Sequence, residues 1–138
     1  MCMITYRFIL VIFCSIGIFS CDSRKDANQS WETYQGDLGS NQYSSLSQIN
    51  KNNVDQLDVA WVYQTGDNLN KQSQIQCNPI IIDDILYATS PNIKLIALRA
   101  GTGELLWEFD PELDFSPHVN RGVTYWESGN DKRILFTA

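Results

Sequence analysis

Arg121, His118 and Cys77 are the side chains of this sequence whose chemistry is hardest to spend on packing alone. A guanidinium is a planar fork of donors matched to carboxylates. Arg121, in Val119-Asn120-Arg121-Gly122, is therefore either an anion-binding group or a surface cation paired with Glu127 or Asp114. His118 is the only histidine, and no Cys-x-x-Cys spacing accompanies it, which argues against zinc. Cys77 is a lone thiol in β surroundings, where cysteine is more often a small buried apolar group than a reactive one. Asp83, Asp84, Asp110 and Asp114 fall in turns and read as solvated loop charge rather than metal ligands.

Such groups need a frame. The chain has 138 residues, 43% of them hydrophobic, enough for one modest domain with a real core. A net charge of −6, with no Lys/Arg cluster beyond two adjacent residues, argues against a nucleic-acid partner. Short alternating runs predict strands. Pro79 to Ile82 and Ile85 to Thr89 flank Asp83-Asp84 as a hairpin, and Lys94 to Leu98 and Glu104 to Phe109 supply two more strands. A second hairpin is predicted from Gly122 to Glu127 and Arg133 to Thr137, around Ser128 to Asp131. Upstream lie a wrapping segment from Trp31 to Asn50, a helical turn around Asn53 to Leu57, and a strand from Val59 to Thr65.

Ala97 to Trp107 then reads as strand, tight turn at Thr102-Gly103, and strand, with Trp107 as a flat wedge against a neighbouring sheet. The fold expected is all-β: about one propeller blade, the start of a second, and an early clasp strand around Trp61 whose partner lies beyond Ala138. One blade cannot bury both its faces, so the unit is expected to be incomplete alone.

At the N-terminus, Arg7 precedes an apolar run from Ile9 to Phe19 that ends in Ile18-Phe19-Ser20-Cys21. The run resembles a bacterial lipoprotein signal, being too short to span a bilayer of roughly 30 Å. This predicts a signal over residues 1–20, lipidation of Cys21, a flexible polar tether over 21–30, and a propeller segment over 31–138. The chain is then expected at a cell membrane, lipid-anchored, on the periplasmic or outer side. Cys2 and Cys14 would leave with the signal, so Cys77 remains without a disulfide partner and stability must come from packing or a bound group.

Ala97 to Trp107 is similar to the tryptophan-docking repeat of pyrroloquinoline quinone (PQQ) dehydrogenases, Ala-x-Asp-x-x-Thr-Gly-x-x-x-Trp, with Arg99 where that family prefers Asp. Tyr43 to Leu46, Gln48 to Val54, Leu57 to Trp61, Thr65 to Asp67, Asn78-Pro79 and Val119 to Trp126 follow the order and spacing of the opening segment of PQQ-dependent alcohol and glucose dehydrogenases. The resemblance implies the N-terminal portion of an eight-bladed β-propeller. It also implies oxidation of an alcohol or aldose by hydride transfer to PQQ, with Ca²⁺ polarising the quinone carbonyl and a respiratory acceptor taking the electrons.

PQQ is flat and carries three carboxylates, so Arg121, Gln76 and His118 are the cofactor-binding candidates the resemblance supplies. Gln76 stands where relatives carry a glutamate, and His118 is offset by one residue from a family histidine. The catalytic base and calcium ligands are expected outside this segment, leaving it inactive by itself. The absence of a Cys-Cys pair upstream of Arg121 favours the glucose-dehydrogenase branch over the methanol branch. The other reading is a non-enzymatic propeller lipoprotein that serves as a binding or assembly scaffold, for which Arg99 in place of Asp speaks.

Overall fold

A computed structural model describes residues 30–67, 74–113 and 119–138; the expected signal, Cys21, most of the tether, Asp114 and His118 lie outside them. Four strands, β1 (Ile80–Ile82), β2 (Ile85–Thr89), β3 (Leu95–Arg99) and β4 (Leu105–Phe109), form one antiparallel sheet in sequence order. β5 (Thr124–Ser128) and β6 (Asp131–Leu135) form a separate hairpin. Both sheets match the predicted blade and the predicted start of another.

Local chemistry explains the turns. Ile82 pairs with Ile85, which leaves Asp83 and Asp84 as a two-residue loop with φ of 48° and 66°. That mirror-image turn follows the strand twist, and Asp tolerates the left-handed region better than most side chains. At the β2–β3 turn, Ser90 and Asn92 both donate to Asp67 Oδ2, the first from its hydroxyl and the second from its backbone N–H at 3.3 Å. Asp67 is buried, and its carboxylate holds a turn in which Ile93 sits at φ 63°. Arg99, at the family's Asp position, pairs with Glu104 across the β3–β4 turn at 3.0 Å, both side chains largely in water.

β3 is the centre of the sheet, with Leu95 to Leu98 all at most 5% exposed. Ile80, Ile82, Leu95 and Val123 form the core, against which Tyr87, Tyr125, Ile134 and Phe136 pack. Tyr125 and Ile134 face each other across β5 and β6, so the hairpin leans on the first sheet through one face only. A cleft of about 520 Å³, lined by Tyr87, Trp107, Phe109, Tyr125 and Phe136 among others, remains between the sheets. Two strands cover less of that face than a four-stranded sheet would. The free edge of β1 is taken by Trp31, whose N–H donates to Ile81 O at 2.6 Å and whose carbonyl accepts from Ile81 N–H at 3.0 Å.

Val59 to Thr65 alternates as predicted, with Trp61, Tyr63 and Thr65 half-buried and Val62 and Gln64 exposed, and, as expected for a segment with no partner in the first blade, no ladder forms there among the described residues. The segment is held instead by one ring: Trp61 donates from its indole N–H to Ala100 O at 3.0 Å and covers Gly103. A Cβ at Gly103 would lie 2.5 Å from that ring, and φ at Gly103 is 72°, so the turn needs glycine on both counts. The Thr102-Gly103 turn thus seats Trp61. Trp107 packs on Tyr87, ring centroids 5.9 Å apart, and stays 41% exposed in the cleft that faces the second hairpin. The predicted helical turn is present as a short 3-10 segment, Val54–Gln56.

Candidate functional site

The segments leading into β1 and β5 run side by side in parallel, joined by a bridge between Asn78 and Gly122. Asn78 donates to the Arg121 carbonyl twice, from its backbone N–H at 3.0 Å and from Nδ2 at 2.9 Å. Gln76 precedes Asn78 by two residues, so this pairing sets the two described cofactor candidates, Gln76 and Arg121, on adjoining strands of chain. Both side chains are exposed. Gln76 donates from Nε2 to Gln74 Oε1 at 3.0 Å.

Arg121 does not pair with Glu127, whose carboxylate accepts from the Tyr125 hydroxyl at 2.6 Å. Among the described residues the Arg121 guanidinium makes neither a hydrogen bond nor an ion pair. The contrast with other described cations is sharp. Lys94 pairs with Glu108 and Asp110, Arg99 with Glu104, Lys132 with Asp83 and Arg133 with Asp131. Lys51 is likewise without an ion pair among the described residues; it stands on an exposed turn next to Asn50 and Asn53, away from the two sheets.

Between the candidates lie groups of evident structural use. Cys77 is half-buried and its Sγ accepts from Thr89 N–H at 3.2 Å, in keeping with a packed thiol. Asn120 is 6% exposed; its Oδ1 accepts from Gly122 N–H at 2.8 Å, and its Nδ2 donates to Thr137 O at 2.6 Å. Sequence reasoning passed over Asn78 and Asn120, although Asn-x-Gly is a spacing at which an asparagine side chain closes a turn on its own backbone. Among the described residues no three His, Cys, Asp or Glu side chains converge to hold a metal ion. What the arrangement offers is an exposed cation and an exposed amide on two adjoining segments, groups chemically suited to an anionic, hydrogen-bonding ligand.

Residues 31–138 match the family described as PQQ: Glucose/ethanol/alcohol dehydrogenase, beta-propeller domain. The quinoprotein glucose dehydrogenase of Escherichia coli K12 is 38% identical over 110 residues, covering 74% of this chain and 14% of the relative. The dehydrogenase subunit of a quinone alcohol dehydrogenase from Gluconacetobacter polyoxogenes is 35% identical over 103 residues, covering 70% of this chain and 13% of the relative. Among solved structures, a quinohemoprotein alcohol dehydrogenase from Pseudomonas putida HK5 superposes with a TM-score of 0.61 at 33% identity, over 71% of this chain and 15% of that one. The chain therefore spans about one-seventh of the length of the relatives it matches.

Proposed function

The chain belongs to the PQQ-dependent glucose/ethanol/alcohol dehydrogenase β-propeller family, and we propose on that premise that the full-length protein carrying it oxidises an alcohol or an aldose with PQQ as cofactor. The observation that carries this reading is the guanidinium of Arg121, unpaired among the described residues on a backbone held by Asn78 at the junction of two sheets. PQQ presents three carboxylates at the rim of a flat ring, and the donor set fits that rim: a fork for a carboxylate, and an amide for a carbonyl or carboxylate oxygen. When bound, PQQ supplies a two-electron acceptor that no side chain provides.

In this reading Arg121 binds and orients the cofactor's edge, and Gln76 adds a neutral hydrogen bond. His118 joins them as a third contact. The accompanying Ca²⁺ and the general base would be supplied by residues outside 31–138. Glucose or another aldose is the substrate class favoured here. It agrees with the missing Cys-Cys pair before Arg121 and with the similarity to a quinoprotein glucose dehydrogenase. The apolar run before Cys21 supports lipidation there and an anchored position on the outer side of a cell membrane, near a respiratory electron acceptor.

The full-length protein, loaded with PQQ and Ca²⁺, should reduce a redox dye when given sugars or alcohols; no quinone-dependent dye reduction with any of them rejects the enzyme reading. Mass spectrometry of the N-terminal peptide should find acyl chains on Cys21, and an unmodified thiol there would reject the anchor.

A further inference from the structure

The peptide unit joining Arg121 to Gly122 has both its polar atoms committed to asparagines. Its carbonyl accepts from Asn78 N–H and Nδ2 at 3.0 and 2.9 Å, and its N–H donates to Asn120 Oδ1 at 2.8 Å. Asn120 is itself fixed from the far side, its Nδ2 donating to Thr137 O at 2.6 Å and lying 3.3 Å from Thr137 Oγ1. The Thr89 hydroxyl reaches its Oδ1 at 3.5 Å. Gly122 completes the grip, since a Cβ there would stand 3.2 Å from Asn78 O and push the two segments apart. Asn120 gathers the ends of β2 and β6 and the start of β5 around one buried amide.

We propose that Asn78 and Asn120 are positioning residues that clamp the main chain at Arg121, so that its guanidinium meets a carboxylate of the cofactor from a fixed Cα. The inference rests on the PQQ reading above. Both clamping groups are neutral, as such a clamp requires, because a carboxylate in either place would draw the guanidinium back onto the protein and compete with the ligand. Neither asparagine has a described contact with the guanidinium, so each acts through the backbone. Ordering the backbone of one residue at the moment of binding weakens affinity on the order of tenfold, a cost the clamp meets during folding.

The test is equilibrium titration of the full-length protein with PQQ in the presence of Ca²⁺, followed by tryptophan fluorescence, with the Tm of each variant measured alongside. Asn120→Ala should weaken PQQ binding about tenfold and Asn78→Ala about threefold. In an Arg121→Ala background neither substitution should weaken it further, because the residue they position is gone. Losses that persist undiminished beside Arg121→Ala, or unchanged affinity in both single variants, overturn the clamp. Should Asn120→Ala fail to fold, Asn78→Ala carries the test, since it keeps the backbone N–H bond to Arg121. Wild-type protein that binds no PQQ removes the functional reading and this one with it; wild-type binding that both single variants leave unchanged, or Asn78→Ala by itself where Asn120→Ala does not fold, removes the clamp alone.

Discussion

The second hairpin is joined to the first sheet at two ends, and the two joints are built from different chemistry. At the inner end the contacts are neutral and close: the Asn78–Gly122 bridge, the buried Asn120 amide, and Val123 packed with Ile80. At the rim the contact is ionic and wet, Lys132 Nζ to Asp83 Oδ2 at 3.4 Å with both side chains 54% exposed. The inner joint fixes geometry, because amide pairs and packed methyls have few alternative arrangements. The rim joint tethers without fixing, since an exposed pair between long side chains is worth little and is screened by salt. Charge follows the same division among the described residues: Lys132 at the rim is paired within the protein, while Arg121 at the inner joint makes no ion pair.

Substitutions should rank accordingly. Ile80→Ala, at a fully buried position of the inner joint, should lower unfolding free energy by about 2–5 kcal/mol in denaturant titrations. A loss no larger than that of a rim variant would erase the distinction. Gly103→Ala drives a Cβ into the Trp61 ring and should cost about 1–3 kcal/mol, with a red-shifted tryptophan emission as the ring is displaced.

Smaller is the alkaline response. Burial, with Asp83 as a second cause, raises the Tyr87 phenol above its ordinary 10.0. Hydrogen bonding and charge from Glu108, then Asp110, raise Lys94 above 10.5. In both cases the folded form keeps a proton that the unfolded chain loses. Stability is therefore whole below pH 10 and declines as pH rises through the folded values, and Tyr87→Phe should make that decline shallower in Tm measurements against pH. Least of all, Lys132→Ala should change stability by under about 1 kcal/mol and abolish only a salt-dependent part.

The first sheet was legible where burial is regular, with Leu95 to Leu98 as a continuous apolar run and the Asp83-Asp84 pair as a break of the right length. Trp61 shows where legibility ended. Its neighbours alternate as predicted, yet alternation reports which side chains are covered, not that the indole bonds Ala100 O and rests on Gly103. Arg121 was open by residue type between an anion-binding group and a paired surface cation, and the motif around it, Val119 to Trp126, singled it out. Asn78 and Asn120 were not singled out, because an amide that acts on a neighbour's backbone leaves no charge or period in the sequence. Asp67 was hidden likewise: its partners, Ser90 and Asn92, are more than twenty residues away and are met only in the folded chain.

The indole of Trp61 resting on Gly103 has an implication for how such a molecule can grow. The sheet accepts an aromatic plate from the segment before it at one turn and leaves a second plate, Trp107, half uncovered on its outer strand. A module with a socket and a plug on different surfaces assembles with polarity, each copy passing the same joint to the next. The number of copies in a closed ring is then governed by the angle between successive modules rather than by any one of them, so duplication or loss of a module leaves every seam chemically intact.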